Sequence, residues 1–247
     1  MPIALLIRGH ERGAFKNKRL YNFLKKYTSL FDIHIYIHTW NISAGDFSWK
    51  PRNFEKYPIT EDIVRTYLDD IIPNKIVIDN ENIIELRGNL HGNVAGGPCP
   101  NIAWKRMWYG KYRLIEHVST ISETYDFVVN TRFDIFENVN NIFTEEDIIR
   151  RTQELYDLVH IFNKKVNTIY FMNEEPCPGI DNIYFGNKKL MYLITKDFNE
   201  NLDEIAGRYP TNFYTEYIVF FQALLYNYNA WSALLKHSYE VTRIKME

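Results

Sequence analysis

The sequence is poor in cysteine, in unbalanced charge and in long apolar runs. Its 247 residues include two cysteines, Cys99 and Cys177, each set between prolines in GPCPN and EPCPG. Neither has a CxxC partner, and two thiols alone do not complete a four-ligand zinc site. They read as unpaired thiols in rigid loops, with a disulfide joining the two loops as the alternative. Lys and Arg number 29 against 31 Asp and Glu, a formal net charge of -2. That near-balance gives no global reason to expect nucleic acid or an anionic membrane as partner, and leaves room for a local basic pocket only. The opening MPIALLI is too short to cross a bilayer and lacks the basic start of a signal peptide. The expected location is therefore the cytoplasm, or the equivalent compartment of a host cell.

Several catalytic signatures are missing as well. GHERG does not fit the dinucleotide fingerprint G-x-G-x-x-G, and no GK[ST] follows to make a P-loop. No G-x-S-x-G elbow and no H-E-x-x-H occur, so serine hydrolases and zinc proteases lose their usual marks. What is present is an ordinary globular composition: 46% hydrophobic residues, enough for a substantial core, and 16% aromatic residues. Surplus Tyr and Trp suit the flat faces of sugars or bases. The many Asn, Ile, Lys and Tyr residues are also what an AT-rich genome produces.

Periodicity gives the elements. Pro2 to Ile7 is an apolar run that stops at Arg8-Gly9-His10, as a strand buried on both faces would. From Phe15 to Phe31, Phe15, Leu20, Phe23, Leu24, Tyr27 and Leu30 recur at helical spacing, with lysines opposite. Asp32 to His38 returns to strand character and ends at Thr39-Trp40. A loop over Asn41 to Pro58 precedes a helix capped by Thr60, and Lys75 to Ile78 is a third strand. After the Gly- and Pro-rich HGNVAGGPCP, a long helix from Ile102 to about Thr124 carries Trp104, Trp108, Tyr112, Ile115 and Val118. Then comes YDFVVNTRFDIF, Tyr125 to Phe136, an apolar strand that meets Arg132 and Asp134. Thr144-Glu145-Glu146-Asp147 opens another helix with acids in its first turn. Strands are expected at Thr168 to Met172, Ile180 to Phe185 and Glu240 to Ile244, and helices at Lys188 to Ile205 and Tyr214 to Tyr228. With no internal repeat or linker, the alternation argues for one α/β domain over residues 1–247.

In open α/β sheets, ligands bind outside the carboxyl ends of the strands. Those ends carry Arg8, Gly9, His10 and Arg12; His38, Thr39 and Trp40; and Arg132 with Asp134. Two arginines and a glycine after the first strand suit a phosphate, because Gly admits close backbone approach and Arg binds bidentately. His10 and His38 either hydrogen-bond a nucleotide or serve the fold, and Thr39 either reaches a base or ribose or caps the next turn. Burying Arg132 and Asp134 alone would cost several kcal/mol each, of the order known for uncompensated ions. They either pair with each other beside the sheet or meet a ligand.

The motifs IRGHERG, IYIHTW, NTRFDIF and GIDNIYFGN occur in this order, spread from Ile7 to Asn187 over about three quarters of the chain. Together they resemble small nucleotide-sugar glycosyltransferases of the GT-A fold, of bacterial polysaccharide and large-virus type. The resemblance implies a single GT-A-like (Rossmann-like) domain: a mixed, mostly parallel sheet flanked by helices. It implies sugar transfer from a nucleotide-diphosphate donor to a glycan or other hydroxyl acceptor. Arg8, Gly9, His10, Arg12, Thr39, Arg132 and Asp134 would bind the donor. Asp134 matches the last position of the family's Asp-x-Asp motif, which helps hold Mn²⁺ or Mg²⁺ on the diphosphate. Arg132 stands where the first Asp belongs, able to pair with Asp134 or to touch a phosphate itself. An inverting transfer needs a carboxylate base, for which Asp181 comes first and Glu216 second. The alternatives are a non-catalytic carbohydrate-binding or scaffold protein that keeps the fold, and a nucleotidyltransferase, for which GHERG is a poor triphosphate loop.

Overall fold

The computed structural model describes residues 1–47, 54–137, 143–172, 179–209 and 215–228. Its centre is a six-stranded sheet in the order β3-β2-β1-β4-β6-β5. The strands are β1 (Ile3–Arg8), β2 (Ile33–Trp40), β3 (Lys75–Asp79), β4 (Val128–Arg132), β5 (Tyr170–Phe171) and β6 (Tyr184–Gly186). The first four run parallel, β6 lies antiparallel on β4, and β5 antiparallel on β6. The fold is thus α/β with a mixed, mostly parallel sheet flanked by helices. Consecutive strands β1 to β3 step outward in one direction, and β4 then returns to the other side of β1. That reversal makes the carboxyl ends of β1 and β4 a topological switch point, where the connections diverge and leave a crevice.

Alternation along β1 divides its side chains between two cores. Ile3, Leu5 and Ile7 join α1 (Arg19–Leu30), α2 (Glu61–Leu68) and α4 (Glu145–His160) on one face. Ala4 and Leu6 join α3 (Asn101–Thr120), α5 (Lys188–Gly207) and the helix at residues 215–228 on the other. By the same alternation, Arg8 on β1 and Arg132 on β4 belong to the second face, across from α3. The two are partners in register. The sheet therefore brings two arginines together because each occupies an even-phase position at its strand's end.

The helices form where amphipathic stripes and caps agree. In α1, Leu20, Phe23, Leu24 and Tyr27 are buried. Thr60 accepts a hydrogen bond from the Ile63 N–H to cap α2, as its sequence implies. Thr144 and Asp147 make a reciprocal capping box at the start of α4.

Several expectations need correction. The run expected as one helix from Phe15 is a 3₁₀ turn, Ala14–Lys16, and then α1, because the Asn17 side chain bonds the Arg19 N–H and starts the helix afresh. Leu30, expected inward, is exposed; Phe31 is buried in its place. The mid-chain strand stops at Arg132, and Ile135 and Glu137 donate backbone bonds to the carbonyls of Arg132 and Asp134 in a turn. Ile180 to Phe185 is not one strand: Ile180–Asn182 is a 3₁₀ turn entered through Gly179 at φ 83, and only Tyr184–Gly186 pairs in the sheet. The expected strand at Glu240 to Ile244, the start of the helix at Tyr214, and Cys177 lie outside the described residues. Among the described residues, no helix is long and apolar enough to cross a membrane.

Candidate functional site

β1 leaves the sheet through Gly9, whose φ of 97 is left-handed and whose N–H donates to the His38 carbonyl at 3.0 Å. A Cβ built on Gly9 would meet no atom within 4 Å, so its backbone angle demands glycine and the space beside it is open. The chain then turns through Arg12, also left-handed at φ 49, held by its N–H donating to the Ser43 carbonyl at 3.0 Å.

Around this turn is a cluster of buried charge. Arg8 is 4% exposed, and its Nε and Nη2 have no hydrogen-bond partner among the described residues. Burial, then the Arg132 charge, brings its guanidinium down to about 10, still charged at neutral pH. Arg132 is a pair partner before it is anything else. Its Nε and Nη2 grip both oxygens of Asp134, the latter at 2.7 Å, and its Nη1 donates to Asn182 Oδ1 at 2.9 Å. The Arg12 guanidinium stands 3.6 Å from Asp134. Burial alone would raise the Asp134 carboxyl, but Arg132 and Arg12 hold it below the usual carboxylate range. Of the two readings for Arg132 and Asp134, mutual pairing is the one the geometry displays.

The sequence reading missed Lys111. It lies on α3 one turn after Trp108, 2% exposed, with Nζ 3.9 Å from the Trp108 ring and 3.7 Å from Asp181 Oδ2. Burial first, and then the charge of Arg8, drives its ammonium well below the ordinary lysine range. The signal was present: Trp104, Trp108, Lys111 and Ile115 follow helical spacing, so a lysine interrupts the buried stripe.

Facing these cations are Asp181 and Glu216. Asp181 sits in the 3₁₀ turn ahead of β6, 7% exposed. Glu216 lies near the start of the helix at residues 215–228, its carboxylate accepting from the Thr215 hydroxyl at 3.0 Å. Burial, and then the Asp181 charge, raises the Glu216 carboxyl. Cys99 lies near the same two acids; burial and then Glu216 push its thiol up to about 12, so it stays protonated. The structure thus brings Arg8, Gly9, Arg12, Arg132, Asp134, Asp181 and Glu216 to one end of the sheet.

His10, His38 and Thr39 are committed to the fold. His10 Nε2 lies 3.1 Å from Glu81, which also pairs with Arg106 at 3.0 Å. His38 Nε2 lies 3.2 Å from Asp79, a carboxylate that also takes bonds from Tyr109 and Arg113 at 3.1 Å each. Burial outweighs these acids and lowers both imidazoles below the ordinary histidine range. The Thr39 hydroxyl donates to the Gly9 carbonyl at 3.0 Å and is fully buried, so it braces the turn that Gly9 makes. Trp40 stacks on His10 and Tyr109 as packing.

No family model, curated protein or solved structure matches the chain. The likeness to GT-A glycosyltransferases therefore rests on the four sequence motifs.

The expected place for Mn²⁺ or Mg²⁺ can be tested on its donors. A hard divalent cation wants several oxygen ligands free to face it. Both Asp134 oxygens are held by Arg132, with Arg12 beside them. Among the described residues, no group of three or more His, Cys, Asp or Glu is arranged to hold a metal ion. The donor set at Asp134 does not fit the cation that the family motif would bring.

Proposed function

We propose that this chain is a nucleotide-sugar-dependent glycosyltransferase of GT-A type, moving a sugar from a nucleotide-diphosphate donor to a glycan or other hydroxyl acceptor. The observation that carries this reading is the pairing of opposites at the switch point. Arg8, buried and with two unbonded guanidinium nitrogens, stands at the end of β1, and two carboxylates, one with a raised pKa, stand across from it. Anionic leaving group and acceptor hydroxyl need those two chemistries side by side. The mixed, mostly parallel sheet agrees with the GT-A expectation.

In this mechanism Arg8 donates its Nε and Nη2 hydrogens to diphosphate oxygens. Glu216, whose raised pKa makes it a stronger base than an exposed glutamate, takes the proton of the acceptor hydroxyl. The acceptor oxygen forms its bond to the sugar's anomeric carbon as the bond to the diphosphate oxygen breaks. The electron pair leaves with the nucleoside diphosphate. Asp181 holds Lys111 in place and, by its own charge, keeps Glu216 basic.

The test is to supply the purified protein with a panel of nucleotide sugars and mixed glycan acceptors and to follow release of nucleoside diphosphate. One donor should be consumed, and Glu216→Gln should slow turnover by about 100-fold or more, as loss of a general base does. Glycan binding with no donor bound or consumed would favour the scaffold reading, to which the closed Arg132–Asp134 pair already lends weight.

A further inference from the structure

The metal expected at Asp134 and the cations present there compete for one role. A divalent cation at a sugar-nucleotide site neutralises the departing diphosphate. Here that place is already lined with positive groups. Arg8 lies beside Arg132 in register, and Arg12 reaches Asp134. A cation entering this cluster would meet their repulsion and would have to strip Asp134 from a bidentate guanidinium. A diphosphate entering it meets the opposite situation. Arg8 has two buried N–H groups without a hydrogen-bond partner among the described residues. Buried donors left unbonded are costly, and diphosphate oxygens would satisfy both.

We infer that the diphosphate of the ligand is held by Arg8 directly, with Arg132 supplying further positive charge behind it, and that no divalent cation takes part in holding it. The inference rests on the glycosyltransferase reading for the identity of the ligand, but not for the charge pattern. Asp134 becomes a positioning residue: it aims the Arg132 guanidinium and bridges it to Arg12.

The experiment is calorimetric titration of the whole chain with inorganic pyrophosphate, and with UDP, GDP, CDP, ADP and dTDP in turn. Each titration is run once in EDTA and once with Mn²⁺. At least one diphosphate should bind in EDTA, with an affinity within about threefold of that with Mn²⁺, a difference below one kcal/mol. Arg8→Lys keeps the charge but loses the fork, and should weaken binding by about tenfold or more. Asp134→Asn loosens the aim of Arg132 and should weaken binding by the same factor in EDTA and in Mn²⁺, whereas loss of a metal ligand would weaken only the binding measured in Mn²⁺. Binding that requires Mn²⁺, or that Asp134→Asn weakens only in Mn²⁺, overturns the inference while leaving the transferase reading standing. Absence of binding by every diphosphate, with and without metal, removes both. If Arg8→Lys melts too low to titrate, the metal comparison and Asp134→Asn still decide.

Discussion

Replacing Lys111 by methionine should make this protein more stable. Methionine matches the length of the lysine stem and fills the same space between Trp108 and Tyr184. Two attractions are lost. The pair with Asp181 at 3.7 Å is worth about 4–5 kcal/mol by Coulomb's law at an effective dielectric of about 20, and the ammonium over the Trp108 ring about 2 kcal/mol when desolvated. Against these stand the desolvation of a fully buried ion, several kcal/mol, and repulsion from Arg8 and Arg132. The depressed pKa of Lys111 gives the sign of the sum: burial and the arginines outweigh Asp181. The cost is bounded, because a lysine too uncomfortable as a cation sheds its proton. From an ordinary pKa of about 10.4 down to pH 7, that release costs at most about 4–5 kcal/mol. A net gain of up to about 4 kcal/mol, limited by the proton-release bound, is expected for Lys111→Met, or up to about 12 °C in Tm for a chain of this length. The pH dependence sharpens the test. Between its folded pKa and about 10.4 the lysine binds fewer protons folded than unfolded, so wild-type stability rises with pH through that window. The advantage of the variant should therefore shrink as pH approaches 10. Thermal melts of both proteins across that range measure it. A lower Tm for Lys111→Met at pH 7, or a gap independent of pH, would refute the reasoning and make Lys111–Asp181 an ordinary stabilising pair.

Gly110→Ala should cost about 1–2 kcal/mol in a urea melt, although helix propensity alone favours alanine by about 1 kcal/mol. The new Cβ would stand 2.8 Å from Nδ1 of His38, a ring fixed from its other side by Asp79. Thr144→Ala removes the capping box of α4 and should lower stability by about 1 kcal/mol in the same assay. For catalysis, kcat/KM should rise with pH along a limb whose midpoint lies above the ordinary glutamate value of about 4.3, since Glu216 must be ionised to act. Asp181→Asn removes the neighbouring charge and should move that limb to lower pH; an unmoved limb would assign the titration to another group.

The sequence by itself determined the strands and the helices that pack on them, because burial imposes a period that a single chain displays. The run Pro2 to Ile7 and the stripe Leu20, Phe23, Leu24, Tyr27 need no partner in view to be read as a buried strand and an amphipathic helix. It also placed Arg8, Arg132 and Asp134 at strand ends, where α/β sheets present their side chains to ligands. Breaks decided by one local bond were beyond its reach: the restart of the helix at Arg19 depends on Asn17, and Gly179 turns Ile180–Asn182 out of the sheet. Only the tertiary structure decided what each polar group meets. His10 follows Arg8 in the turn after β1 and Thr39 stands beside it on β2, yet one is bound by Glu81 from 71 residues away and the other by the Gly9 carbonyl. Lys111 joins the arginines because α3 crosses the same face of the sheet that β1 and β4 turn toward their ends. Periodicity fixes which way a side chain points along its own element; charge pairing depends on distances between elements, which are set only when the sheet order and the helix layers are assembled.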